Sequence, residues 1–385
     1  MIRLVMRHLS LLIKDHAGWS PRTRAPIERH LDAAASWLLR AQRATEDDGV
    51  AHSFDLCRGK WLASYPETTG YIIPTLYDYA QHFNAPHCKE AARKMALWET
   101  RVQLPCGGVR AGTMEADPVV PTIFNTGQVL FGWARAFRET GDVLMLSSLV
   151  RAANWLVSVQ DADGAWRAHA SPFARGGIKS YNTRSAFGLI RAWEVTREPR
   201  YLAAAKRNVE FVLSRRHDNG FLPDNCLTEN PNPLTHTLAY SIRGILEVAH
   251  AAGREDWLIH ARKMAEAIAR SQRPDGALPG RLNANWQSVA RWSCVTGNAQ
   301  MAINWFRLSH LTGARELIWH AKRANRFNLS LHDIEATNES IRGGVKGSHP
   351  INGEYMTWRY PNWAAKFFMD ALMFERLADK VENLG

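Results

Sequence analysis

A short unit is written five times along this chain, and its period limits the fold more than any other feature. Its clearest copy is WLVSVQDADGAW, Trp155 to Trp166. A bulky apolar pair is followed by Gln160, then by a tight turn on Asp163-Gly164, then by another apolar residue. Trp37-Leu38 leads in the same way to Gln42 and Asp48-Gly49-Val50, and Trp98 leads to Gln103 and Gly107-Gly108-Val109. Phe211-Val212 leads to Arg216 and Asn219-Gly220-Phe221, and Ala267-Ile268 to Gln272 and Asp275-Gly276-Ala277. The pivots at 42, 103, 160, 216 and 272 are separated by steps of 61, 57, 56 and 56. A helix end and a turn at each pivot of such a period indicate a repeat architecture.

Between the pivots the apolar residues follow the helical period. They predict helices over about 27–44, 68–84, 87–103, 122–139, 143–160, 181–197, 199–216, 235–252, 255–272, 293–311, 314–330 and 361–379. Stops fall where Gly, Asn or Pro interrupts the pattern, as at Asn84-Ala85-Pro86 and Glu198-Pro199. A single hairpin cannot bury both its faces, but six can close into a ring. The expected fold is all-α, a single (α/α)6 toroid. Its inner set begins with 68–84, and its outer set carries the glutamine-ended helices. No low-complexity linker divides the ring, so residues 23–385 are expected as one domain after an amphipathic extension over 1–22.

Composition narrows the function without choosing it. The 15 Trp fit core and turn packing, or stacking on the apolar faces of sugar rings. The net charge of +11 is spread over helix faces. With no nucleic-acid-binding module in sight, no nucleic-acid partner is expected. A dispersed positive field suits an acidic polymer, an anionic membrane surface or simple solubility. The five Cys are odd in number and contain no CxxC, which fits reduced thiols in a cytoplasmic protein. Residues 1–14 could touch a membrane surface, but Arg3, Arg7, Lys14 and Asp15 break up any signal-peptide core. No run approaches the roughly 20 apolar residues of a membrane span.

The W-L-x-x-x-Q-x-x-x-G-x-W pattern of 155–166 resembles the QW repeat of the terpene cyclase and prenyltransferase toroids. Three further stretches are similar to toroid proteins associated with bacterial exopolysaccharide biosynthesis. They are Tyr65-Pro66-Glu67-Thr68-Thr69-Gly70-Tyr71, Ser293-Cys294-Val295-Thr296-Gly297-Asn298-Ala299-Gln300, and the end of the chain from Gly343 to Pro350 and from Tyr360 to Phe368. The first likeness implies an α/α toroid. The second implies a role in making or trimming a secreted polysaccharide.

The isoprenoid chemistry of such toroids needs DxDD or DDxxD, and neither string occurs. Zinc-holding toroids use Cys and His from inner-helix starts. Cys226, His236 and Cys294 come from neighbouring repeats, but without a tight local pair they carry no metal assignment, and no cofactor is expected. Polar residues instead gather where the inner helices begin. Tyr65, Glu67 and Tyr71 begin the first, Asn125 the second, and Tyr181, Asn182 and Arg184 the third. His236 begins the fourth and Asn298 the fifth. His349, Asn352, Glu354, Tyr355, Arg359 and Asn362 precede or begin the sixth. Each could be a helix cap, but the set is a ring of donors and acceptors suited to polyhydroxyl ligands.

Three functions follow. Glu67 and Glu354 could face each other as the two carboxyl groups of a glycoside hydrolase. Tyr181, His236 and His349 could instead move a proton in uronate lyase or C5-epimerase chemistry, with Arg184, Arg359 or Asn182 against the uronate. A non-catalytic polysaccharide-binding or scaffold role is the third. In each case the partner is a polysaccharide or oligosaccharide, an acidic one if the charge is informative.

Overall fold

The computed structural model describes the backbone of residues 2–17 and 25–382 and the side chains of 9–17 and 25–380. An N-terminal helix, α1 (Ile2–His16), precedes the ring. The inner helices are α3 (Pro66–Phe83), α5 (Ile123–Thr140), α7 (Thr183–Thr196), α9 (Thr235–Ala252), α11 (Val295–Thr312) and α13 (Asn362–Glu382). Each packs on the next, and α13 packs back on α3, so the ring is closed. The outer helices are α2 (Ile27–Arg43), α4 (Pro86–Val102), α6 (Val143–Ser158), α8 (Pro199–Ser214), α10 (Glu255–Ala269) and α12 (Glu316–Leu331). The outer helix α2 packs on α13, which joins the first and last repeats. The all-α toroid expected from the repeat is the observed fold.

The two ends of the barrel differ because the two kinds of connection differ. Inner helices α3, α5, α7, α9 and α11 end in left-handed residues: Asn84, Gly141, Arg197, Gly253 and Gly313. That conformation satisfies the last carbonyls and turns the chain at once into the next outer helix. Pro86 and Pro199 then occupy the first positions of α4 and α8, and the Asp142 side chain caps α6 by accepting from the Leu144 N–H at 2.9 Å. The return connections are long, over 44–65, 103–122, 159–182, 215–234, 270–294 and 332–361. All of them lie at the N-terminal ends of the inner helices, so that mouth is roofed by extended loops.

The repeat glutamines hold the outer wall together. The Gln160 amide donates to the carbonyls of Gly164, at 3.1 Å, and of Ala204 on the next outer helix, at 3.0 Å. Gln103 does the same with Gly107 and Ser148, Gln272 with Gly276 and His320, and Gln42 with Asp48 and Ala91. The turn glycine is required twice over at Gly164. Its φ is +88°, and a Cβ there would lie 2.4 Å from the Arg207 carbonyl oxygen. At 216 the pivot is Arg, whose guanidinium donates to the carbonyl of Leu213 on its own helix.

Small antiparallel ladders tie the loops down. Strands β1 (Ser53–Asp55) and β2 (Lys60–Trp61) form a three-stranded sheet with β7 (Arg359–Pro361), in the order β2-β1-β7 with Phe54 opposite Tyr360. The sheet bridges the first and last loops. Strands β3 (Val109–Arg110) and β4 (Pro121–Thr122) pair, as do β5 (Ser293–Cys294) and β6 (Ser348–His349). Most of the tryptophans are spent on packing: Trp37, Trp133 and Trp305 are fully buried, and Trp98, Trp155, Trp166 and Trp257 nearly so. No helix among the described residues is long and apolar enough to cross a membrane.

Candidate active site

Residues spaced three and four apart on an inner helix share its axial face. On α3 that face carries Glu67, Tyr71, Thr75 and Asp78, and on α9 it carries His236, Tyr240, Arg243 and Glu247. On α13 it carries Trp363, Phe367, Asp370 and Phe374. The barrel interior is therefore layered from the N-terminal mouth inward.

The top layer is a cage around Glu67. The Tyr65 hydroxyl donates to Glu67 Oε2 at 2.5 Å. Burial raises the Glu67 carboxyl to about 7, against the pull of that hydrogen bond. No other carboxylate contributes to the shift. Glu67 keeps a small accessible face. Opposite it, His236 packs against Tyr240 and Tyr355, with ring centroids 4.5 and 5.0 Å away, and its Nδ1 lies 2.8 Å from Gln300 Oε1. With that oxygen accepting, Nδ1 carries the proton and Nε2 keeps a lone pair. Burial lowers the His236 imidazole to about 4, so it is neutral at physiological pH. Trp363 Nε1 donates to the Tyr355 hydroxyl at 2.8 Å, and His52 lies between Tyr65 and Trp363 at 5.3 and 4.8 Å. The hydroxyls of Tyr71 and Tyr240 adjoin beneath.

Burial, then the Glu67 charge, raise the phenols of Tyr181 and Tyr240. With no cation beside it, Tyr181 is a hydrogen-bond donor and a poor base. The sequence therefore brings Tyr65, Glu67, Tyr71, Tyr181, His236 and Tyr355 to one end of the barrel. It misses His52 and Trp363. The available signals were the position of His52 just after the Asp48-Gly49 turn and of Trp363 in the first turn of α13.

Other candidates stand elsewhere or are spent on structure. Glu354 is at the same mouth, but its side chain is 58% exposed and paired with Arg281 at 2.9 Å. His349 turns outward to Phe327 of α12 and lies 3.7 Å from Asp15 of α1, because β6 pairs with β5 and carries it away from the axis. Asn125 donates to the Arg110 carbonyl, and Asn362 to Ala51 and Thr68. Asn298 accepts from the Leu278 N–H. These three anchor the loops to the helix starts. Arg359 pairs with Asp55 across β1 and β7 at 3.3 Å. Asn352 is exposed and Asn182 is buried. Arg184 reaches down the barrel, away from the loops, over Phe131 and Phe187. Cys226, His236 and Cys294 form no metal-type group, nor does any other set of three acidic, His or Cys residues among the described residues.

Below the cage lies a cavity of about 380 Å³. It begins at Tyr71, Arg184, Tyr240 and Gln300 and extends to His82, Arg138 and Leu377, in the last turns of α3 and α5 and near the end of α13. It therefore opens at the mouth opposite the long loops.

No protein-family model matches the sequence, and a comparison with curated protein sequences finds no match. Solved structures do match. An unsaturated glucuronyl hydrolase specific for heparin superposes with a TM-score of 0.73 at 16% identity, covering 91% of this chain and 97% of that one. A D-mannose isomerase gives 0.72 at 13% identity, covering 92% and 98%. A cellobiose 2-epimerase from Bacillus thermoamylovorans gives 0.70 at 10% identity, covering 89% and 95%. At these identities the likeness establishes the fold, over nearly the whole of each chain.

Proposed function

We propose that this chain is a carbohydrate-active enzyme with Glu67 as its proton donor. The observation that carries the reading is a carboxyl group held near pH 7 inside a cage of tyrosines, at the mouth roofed by the long return loops. At neutral pH a substantial fraction of Glu67 is protonated, ready to protonate a departing glycosidic oxygen. The Tyr65 hydrogen bond fixes its orientation and favours the carboxylate left after transfer. Trp363, Tyr355 and His52 supply flat apolar surfaces edged by donors, which suit a pyranose. Glu354, paired with Arg281 at the rim, is the candidate to activate water in a glycoside hydrolase-type reaction. The solved neighbours named above act on saccharides, which supports the substrate class.

The proposed ligand is an acidic polysaccharide or oligosaccharide, in keeping with the net charge of +11. Bacterial exopolysaccharide is the finer suggestion, supported by the resemblance of the 65–71, 293–300 and 343–368 stretches. The five unpaired thiols suit a cytoplasmic setting.

A second reading is favoured by one specific feature. Neutral His236, with its Nε2 lone pair, could remove a proton from a sugar carbon while Glu67 or Tyr181 returns one. That chemistry would give epimerisation, isomerisation or β-elimination without a second carboxylate. One assay series separates the readings. Uronate-containing oligosaccharides are incubated with the protein in D2O and followed by NMR and ultraviolet absorbance. Hydrolysis gives new reducing ends, elimination gives an absorbing unsaturated product, and epimerisation gives carbon-bound deuterium without cleavage. Binding with none of these changes would leave the polysaccharide-binding or scaffold role.

A further inference from the structure

The cavity beneath the cage is not explained by chemistry at Glu67. Its wall is rich in cations, and nearly all are neutralised locally. Arg135 pairs with Asp78 and Glu139, and Arg138 and Arg191 share Glu194. Arg243 pairs with Glu247, and Lys366 with Asp370. Arg184 differs: among the described residues that line the cavity, it is the one cation with no carboxylate partner. Its Nε donates to Gln128 Oε1 at 3.3 Å, and its guanidinium carbon lies 4.5 Å from the Phe131 ring centroid, 5.2 Å from Phe187 and 5.8 Å from Tyr240.

A buried guanidinium without a counter-ion is costly, and aromatic faces repay only part of that cost. Arg184 is 7% exposed, and burial, together with the nearby Arg243, lowers it to about 10 against the more distant pull of Asp370, whose carboxylate is bonded to Lys366. Arg184 therefore remains a cation at neutral pH. The space in front of it has the size of a small-molecule pocket. Tyr71, Phe131, Phe187, Tyr240, Phe367 and Phe374 give that space flat apolar walls.

We infer that the C-terminal half of the barrel is a second binding site, for a small carboxylate-bearing molecule with a flat or apolar-faced body. The carboxylate pairs with Arg184, and the body stacks between the aromatic rings. The molecule enters past Arg138 and Leu377, at the end of the barrel opposite Glu67. An acidic monosaccharide and an aromatic acid share this chemistry.

Calorimetric titration of the full chain with glucuronate and, separately, benzoate tests the site and tells the two sources apart. Glucose and benzyl alcohol serve as uncharged controls. At least one carboxylate should bind and raise the melting temperature, and its uncharged control should bind at least about tenfold more weakly. Arg184→Met should weaken binding at least about tenfold without lowering the melting temperature of the ligand-free protein, because no ion pair is lost. Leu377→Glu changes a residue that is 44% exposed at the C-terminal mouth. It should weaken binding about threefold by repelling the anion. Glu67→Gln should bind as the unaltered chain does, so loss of catalysis and loss of this site are read separately. Should Arg184→Met itself be destabilised, Leu377→Glu decides alone. Absence of binding by either carboxylate, or binding that Leu377→Glu leaves unchanged, overturns the inference.

Discussion

In the proposed reactions Glu67 and His236 carry the chemistry of the cage, and their protonation sets its pH range. His236 is neutral above about 4, and Glu67 is protonated below about 7. If both act, kcat/KM should be bell-shaped, with its acid limb near the first value and its alkaline limb near the second. Glu67→Gln should abolish turnover and remove the alkaline limb from any residual rate. The same burial affects stability. A carboxyl that titrates near 4.5 when unfolded and near 7 when folded favours the folded state in acid. Stability then falls as pH rises through that window, by at most about 3 kcal/mol. Glu67→Gln should therefore unfold at a higher temperature than the unaltered chain at pH 8, and the difference should shrink at pH 4. Glu99 follows the same sign: it is fully buried with neither oxygen bonded, and its carboxyl is raised by burial and then by Asp47. Glu99→Gln should stabilise the protein at alkaline pH, as a melting series against pH would register. The positions of Glu67 and His236 at the mouth were legible in the sequence because inner-helix starts must face the axis. His349 was misleading because the β5–β6 pairing that turns it outward cannot be read from helical spacing. Arg184 was legible as a polar residue at an inner-helix start, whereas Arg135, Arg138, Arg191 and Arg243 were not, because on a single helix they look like solvated charges.

Helices and their joints were the most legible elements. The observed helices lie within a few residues of those predicted, since Gly, Asn and Pro stops coincide with left-handed caps and first-turn prolines. The glutamines were legible as markers of the repeat, but their partners were not, because each amide reaches a carbonyl on the following outer helix. Gln160→Ala removes the bonds to the Gly164 and Ala204 carbonyls and the bond from Arg207 to the amide oxygen, a loss of about 1–3 kcal/mol. Denaturant unfolding should show that loss with no change in catalytic rate, since the outer wall is remote from Glu67. Gly164→Ala should cost more than a surface substitution because both its φ and its contact with Arg207 exclude a side chain.

The ring closes on itself through a seam between its first and last repeats, and the seam is where that closure can be tested. Helix α2 lies on α13, β1 pairs with β7, and Glu28 pairs with Arg376. Helix α1 adds a buried tie: Asp15 accepts from Lys346 Nζ at 2.5 Å and from the Ile351 N–H at 2.8 Å. Burial works against the Asp15 charge, but His349 and Lys346 together hold its carboxyl below the usual range. Asp15→Ala strands a buried ammonium beside the loop that carries Glu354 and Tyr355, at a cost of about 3–5 kcal/mol. A single calorimetric transition at lower temperature is the expected result. Ring closure itself was legible from the period, whereas the depth and charge of each mouth depended on side-chain packing across six helices. In the proposed function this toroid transforms a saccharide with Glu67 as its acid. Its most direct test is the NMR time course of uronate-containing oligosaccharides with the unaltered chain and with Glu67→Gln. A changed sugar spectrum is expected with the first and none with the second. Equal turnover by both would contradict it.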